Sequence, residues 1–78
     1  MEYTDYFRWI RRRPDRRSIR TEWIMLVVTD PERESIQMDG RIRRWRRIPE
    51  AGDRALRVVL LPDGRTVHNA FFDRRYQP

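Results

Sequence analysis

The sequence has no cysteine, no lysine, one histidine and three glycines. Without cysteine there is no disulfide framework and no thiolate metal site. A single imidazole cannot build a His-rich metal centre. No phosphate-binding glycine loop, nucleophile elbow or pair of carboxylates at catalytic spacing is visible, so no cofactor is expected. The longest apolar run, Trp23 to Val28, is six residues, far short of a membrane span, and the first residues carry no apolar signal run. The chain reads as a soluble cytoplasmic protein with no membrane association.

What is present is positive charge. All eighteen basic residues are arginine, the net charge is +6 and the pI is near 11.1. Arginine without lysine fits codon bias in a GC-rich genome. It also fits selection for guanidinium forks, which grip phosphate in bidentate fashion and stack on bases. Such a surface concentrates polyanions. RNA is the first partner class, an acidic protein the second. With 78 residues and 38% hydrophobic content, the chain is expected to form one small domain over 1–78. Its core is marginal, so oligomerisation or a stabilising partner is expected, with monomer and homodimer both open.

Element signals follow in order. Thr4 is placed to cap a first helix over about 4–13, with Asp5 in its first turn and Pro14 ending it. A second helix is expected over about 21–30, with Thr21 as cap and Asp30-Pro31 as stop. Its apolar run leaves little polar face, which predicts a central buried helix; a buried strand is the alternative. The period then changes to two. Strands are expected over about 34–38, 41–48, 56–61 and 66–72, with a polar tail over 73–78. Short turns make neighbouring strands antiparallel. The expected fold is α+β, two N-terminal helices on one face of a four-stranded antiparallel sheet, with the other face open.

The second strand, Arg41 to Ile48, holds five arginines and a tryptophan after the turn dipeptide Asp39-Gly40. A two-residue turn pairs Met38 with Arg41 and Ser35 with Arg44. Ile36, Met38 and Trp45 then meet the helices. Ser35, Gln37, Arg44 and Arg46 face outward, with Arg33 nearby. Arg41, Arg43 and Arg47 share the core parity and need a bulge or snorkelling. Trp45 reads as a core anchor rather than a base platform. In the last hairpin a two-residue Asp63-Gly64 turn sets Leu60 against Val67 and Val58 against Asn69. This gives a core of Leu56, Val58, Leu60, Val67 and Phe71, with His68 outward beside Arg57 and Thr66. A bulged turn would send His68 inward instead. The candidate nucleic-acid-binding residues are Arg33, Arg44, Arg46 and Arg57. His68, with Arg74 and Tyr76, forms a candidate cleavage set: an arginine for phosphate charge, and imidazole or phenol for proton transfer.

Thr4-Asp5-Tyr6-Phe7, Arg16 and Ile19-Arg20-Thr21-Glu22, followed by Leu56 to Leu61 and Thr66 to Phe72, resemble the small bacterial domains of the RelE/ParE and BrnT toxin superfamily. In those domains two helices precede an antiparallel sheet. The resemblance implies RNA binding, metal-independent endoribonuclease activity and an antitoxin-like acidic partner. The chain departs from the pattern in lacking lysines and in having Tyr6 where a histidine often opens the first helix. A non-enzymatic module that docks an acidic protein is the alternative.

Overall fold

In the computed structural model, which describes residues 1–77, Thr4 starts the first helix as its sequence suggests. Its Oγ1 accepts the Phe7 N–H at 3.1 Å. Helix α1 spans Asp5–Ile10 and stops three residues earlier than expected. Arg13 is extended, with φ −68° and ψ 143°, and Pro14 opens a separate short helix α2, Pro14–Arg17. Proline has no N–H to lose at the first helical position, so here it begins an element rather than ending one. Helix α3, Thr21–Thr29, settles the helix-or-strand ambiguity. Arg20 is its N-cap, without a side-chain hydrogen bond, and Thr21 is already helical. The helix buries Ile24 and Val27 but exposes Met25, so it lies across a sheet face and is not enclosed.

One further strand adds to the expected four. Strand β1, Glu2–Tyr3, runs parallel to the last strand, and β2, Arg33–Ile36, begins the meander. Then come β3, Ile42–Ile48, β4, Arg54–Leu60, and β5, Thr66–Phe72. The result is α+β as expected, but with a mixed five-stranded sheet in the order β1-β5-β4-β3-β2 and three short helices. Two residues of lead suffice for β1 because Thr4 N–H also reaches the Val67 carbonyl, at 3.0 Å. Pro78, the last residue of the expected polar tail, lies outside the described residues. No helix among those described is long and apolar enough to cross a membrane.

Two local irregularities decide which side chains face where. At the β2–β3 turn, Gln37 N–H bonds the Arg41 carbonyl at 2.8 Å, and Met38, Asp39 and Gly40 form a three-residue loop. Gly40 takes φ +90°, and a Cβ there would meet Pro62 at 3.2 Å. Asp39 Oδ1 accepts the Arg41 N–H at 3.0 Å. The loop is one residue longer than the two-residue reading, so Ser35 opposes Arg43 and Arg33 opposes Trp45. A one-residue slip exchanges the faces of every side chain. Ile42, Arg44, Arg46 and Ile48 turn toward the helices, and Arg43, Trp45 and Arg47 turn away.

The second irregularity is a bulge in β5. Leu60 pairs with Val67 as expected, but Val59 pairs with Asn69, leaving His68 as the extra residue. Beyond it the parity reverses. Ala70 and Phe72 therefore face the core and Phe71 faces outward, opposite to the expected core placement of Phe71. The core is Phe7, Ile10 and Ile19 with Ile24 and Val27 of α3, closed by Ile48, Leu56, Val58, Leu60, Val67 and Ala70.

The β4–β5 turn is held by one carboxylate. Asp63 accepts from Thr66 Oγ1 at 2.6 Å, Thr66 N–H at 2.9 Å and Arg65 N–H at 2.8 Å. The Thr66 hydroxyl, then the two amides, pull its pKa from 3.8 to about 2. A depressed carboxylate pKa stabilises the fold above the unfolded value and loses that effect as pH falls through the folded one. Asp63→Ala is therefore expected to lower the thermal midpoint at neutral pH. The gap from the native protein should close as pH falls from 3.8 toward about 2. Thermal melts across that range check it.

Candidate nucleic-acid interface

The register aligns four residues across the uncovered face. Arg33 of β2 opposes Trp45 of β3, Trp45 opposes Arg57 of β4, and Arg57 opposes Phe71 of β5. Adjacent strands lie about 4.8 Å apart, so these side chains touch in sequence. Guanidinium carbons lie 5.9 Å (Arg33), 5.7 Å (Arg43) and 5.5 Å (Arg57) from the Trp45 ring centre. Arg57 is also 5.2 Å from the Phe71 ring, and Arg16 of α2 is 5.3 Å from it. Arg16 is fixed there by Nε donating to the Ala70 carbonyl at 2.9 Å. Tyr76, beyond β5, stacks on Trp45 at 6.0 Å and 16°. The indole N–H donates to Asp73 Oδ2 at 2.9 Å. Trp45 keeps only 9% exposure, because its own neighbours cover it on an otherwise open face.

Ion pairing separates the arginines of this region. Arg41 pairs with Asp39, Arg44 with Glu34, Arg46 with Asp30 and Arg47 with Glu32. Arg47 makes the closest of these contacts, at 3.1 Å, and its hydrogen bonds hold the Glu32 carboxyl below the ordinary carboxylate value. Among the described residues, neither Arg33 nor Arg43 has a carboxylate within 4.0 Å. Arg57 reaches Asp73 only at 3.9 Å. That carboxylate already accepts from Trp45 and from the Arg75 N–H at 2.9 Å. Burial opposes its ionisation, but the Trp45, Arg75 and Arg57 contacts outweigh it and keep Asp73 below its usual value. Burial lowers the pKa of Arg57, and the nearby charge of Arg43 lowers it further. The Nε atoms of Arg43 and Arg57 are buried without a hydrogen-bond partner, as are those of Arg44 and Arg46 on the helix side. On the open face, Arg33 and Arg43 thus lack a carboxylate partner among the described residues, and Arg57 shares Asp73 with the Trp45 indole and the Arg75 N–H.

Arg44 and Arg46, expected on this face, lie on the other one. Arg44 donates to the Val28 carbonyl at 2.8 Å and Arg46 to the Asp30 carbonyl at 3.1 Å. Both cover the end of α3, where carbonyls lack helical partners and the dipole is negative. The last turn of α3 supplies no basic residue of its own, and β3 provides the charge instead. Of the four arginines expected outward, Arg33 and Arg57 face the open side. The sequence reading missed Arg43, Trp45 and Phe71 there. The signal for them was the spacing of Ile42 and Ile48: six residues apart, they share one face, and only the core can take both.

The candidate cleavage residues are not assembled at one place. His68 sits at the bulge near β1, its Nδ1 3.2 Å from Thr4 Oγ1 and its ring stacked on Tyr6 at 5.0 Å. Thr4 Oγ1 accepts from Phe7 N–H and keeps a proton and a second lone pair, so it serves His68 Nδ1 as donor or acceptor according to the imidazole tautomer. Burial lowers the pKa of His68, Arg41 lowers it further and Asp39 opposes both. Arg74 and Tyr76 instead line a cleft of about 530 Å³ with Arg47, Asp53, Arg54 and Phe72, and His68 is not part of that lining. Among the described residues, no three His, Cys, Asp or Glu side chains gather as metal ligands.

The fold and this face define a small α+β domain with helices on one side of the sheet and a bare, arginine-bearing surface on the other. Comparison with protein-family models, with curated proteins and with solved structures finds no match.

Proposed function

We propose that the protein is a cytoplasmic RNA-binding domain whose open sheet face grips phosphates through Arg33, Arg43 and Arg57. The observation that supports this reading is that Arg33 and Arg43 have no carboxylate partner among the described residues and Arg57 only a shared Asp73 at 3.9 Å, beside four arginines that are each paired with a carboxylate of their own. Arginine forks suit phosphate oxygens. A toxin-like relationship to the RelE/ParE and BrnT superfamily is consistent with an RNA target. We infer binding rather than cleavage, because His68 lies apart from Arg74 and Tyr76.

Fluorescence anisotropy of a labelled single-stranded RNA across a salt series tests it. Single strands lose affinity with a slope of about −0.7 per neutralised phosphate, so three guanidiniums predict a slope of about −2 in log K against log salt. A flat salt response, or an acidic peptide that binds as tightly as RNA, overturns the reading. Incubation in EDTA separates the enzymatic version. Intact RNA supports binding alone, whereas cleavage abolished by His68→Ala would restore the endoribonuclease.

A further inference from the structure

The uncovered face contains a stacking slot that the protein fills with its own side chain. Trp45 is held in place by its indole N–H bond to Asp73, and three guanidiniums surround its ring at 5.5–5.9 Å. The planar group lying nearly parallel to that ring is the phenol of Tyr76. Tyr76 belongs to a short segment after β5. Its backbone N–H reaches the Asp73 carbonyl at 3.4 Å, longer than an ordinary amide hydrogen bond. No other hydrogen bond of Tyr76 is present among the described residues. The aromatic stack is therefore its main attachment. Arg43 and Arg57, with their unpartnered Nε atoms, stand beside the same slot.

We propose that Tyr76 is a displaceable cap, and that a nucleobase of single-stranded RNA takes its place on Trp45 while Arg43 and Arg57 take the adjoining phosphates. This rests on the RNA-binding reading and specifies its substrate as unpaired strand. The exchange replaces one aromatic stack by another, so it costs little. The phosphates bring acceptors to Arg43, which has no carboxylate within 4.0 Å, and to Arg57, which has only the shared Asp73 at 3.9 Å. A base in a duplex is already stacked on both faces and cannot enter. Sequence preference is weak, because every base has a π-face.

The test compares the native protein, Tyr76→Ala and Tyr76→Phe in binding to oligoadenylate and to a blunt RNA duplex. Removing the cap frees the platform, so Tyr76→Ala is expected to bind oligoadenylate about tenfold more tightly, within the range for one base–aromatic stack. Its affinity for duplex should not change, and Tyr76→Phe, which keeps the ring, should behave as the native protein. Emission from 2-aminopurine placed in the oligomer should be quenched more strongly by Tyr76→Ala. Unchanged or weaker binding of oligoadenylate by Tyr76→Ala overturns the cap, as does equal tightening toward duplex. These outcomes leave the RNA-binding reading standing as long as the native protein binds. Absence of binding by all three proteins removes that reading and the cap with it.

Discussion

Arg43→Ala and Arg57→Ala are each expected to weaken RNA binding about tenfold and to flatten its salt dependence, while Arg44→Ala leaves binding per folded molecule unchanged and destabilises the fold. The two classes of effect follow from which side of β3 each side chain takes. Arg43 and Arg57 have no neutralising partner except a shared and distant Asp73, so a phosphate is their available anion. Loss of one phosphate contact lowers the salt slope by about 0.7 on single strands. Arg44 instead bonds the Val28 carbonyl at 2.8 Å, beneath the end of α3, with Glu34 at 3.8 Å. Removing it leaves a helix-end carbonyl unpaired and a carboxylate alone. Hydrogen bonds that involve a charged group contribute about 1.5–3 kcal/mol, so the loss should be of that order. Urea titration and anisotropy on the same three variants check the division. If Arg44→Ala loses RNA affinity while keeping full stability, the assignment of faces is wrong.

The division also shows what the sequence made legible. The strand periods, the Thr4 cap and the α+β class were readable because each rests on local chemistry: period-two patterning, a hydroxyl before an acidic first turn, and short turn signals. The direction of β3 was not. Asp39-Gly40 suits a two-residue turn, but the same glycine also suits the last position of a three-residue loop, where it needs the same positive φ. One loop residue more or less exchanges Arg44 for Arg43. The nearby apolar residues could have decided it, since Ile42 and Ile48 are both placed inward only by the longer loop. His68 shows the opposite case. Nothing in Val67-His68-Asn69 marks a bulge, and the reversal that sends Phe71 outward and Ala70 inward comes from the packing of Ala70 and Phe72 against the helices. Pro14 was ambiguous for a different reason, since the same lack of an N–H forbids a helix interior and favours a helix start. Contacts between distant segments, such as Tyr76 on Trp45 or Arg16 on Phe71, have no local signature.

Trp45→Ala is expected to be the most destabilising change on the open face, at about 3–5 kcal/mol, the usual range for truncating a large buried aromatic. Trp45 is 9% exposed and touches Arg33, Arg43, Arg57, Asp73 and Tyr76. A domain of this size has about 5–15 kcal/mol in total, so the variant would keep only part of its stability. Trp45→Phe separates packing from polarity. It keeps an aromatic ring over which the guanidiniums can lie, and loses the 2.9 Å bond to Asp73, so about 1–2 kcal/mol is expected. Asp73 would then be freer to neutralise Arg57, and RNA affinity should fall further than the smaller stacking area alone requires. Chemical denaturation and RNA titration of the folded Trp45→Phe protein measure the two effects. A Trp45→Ala protein as stable as the native one would mean that the arginines, rather than the ring, organise this face. The expected result ties the two roles together: with the helices on the far side, the ring that shields this side of the sheet is also the surface on which a base can lie.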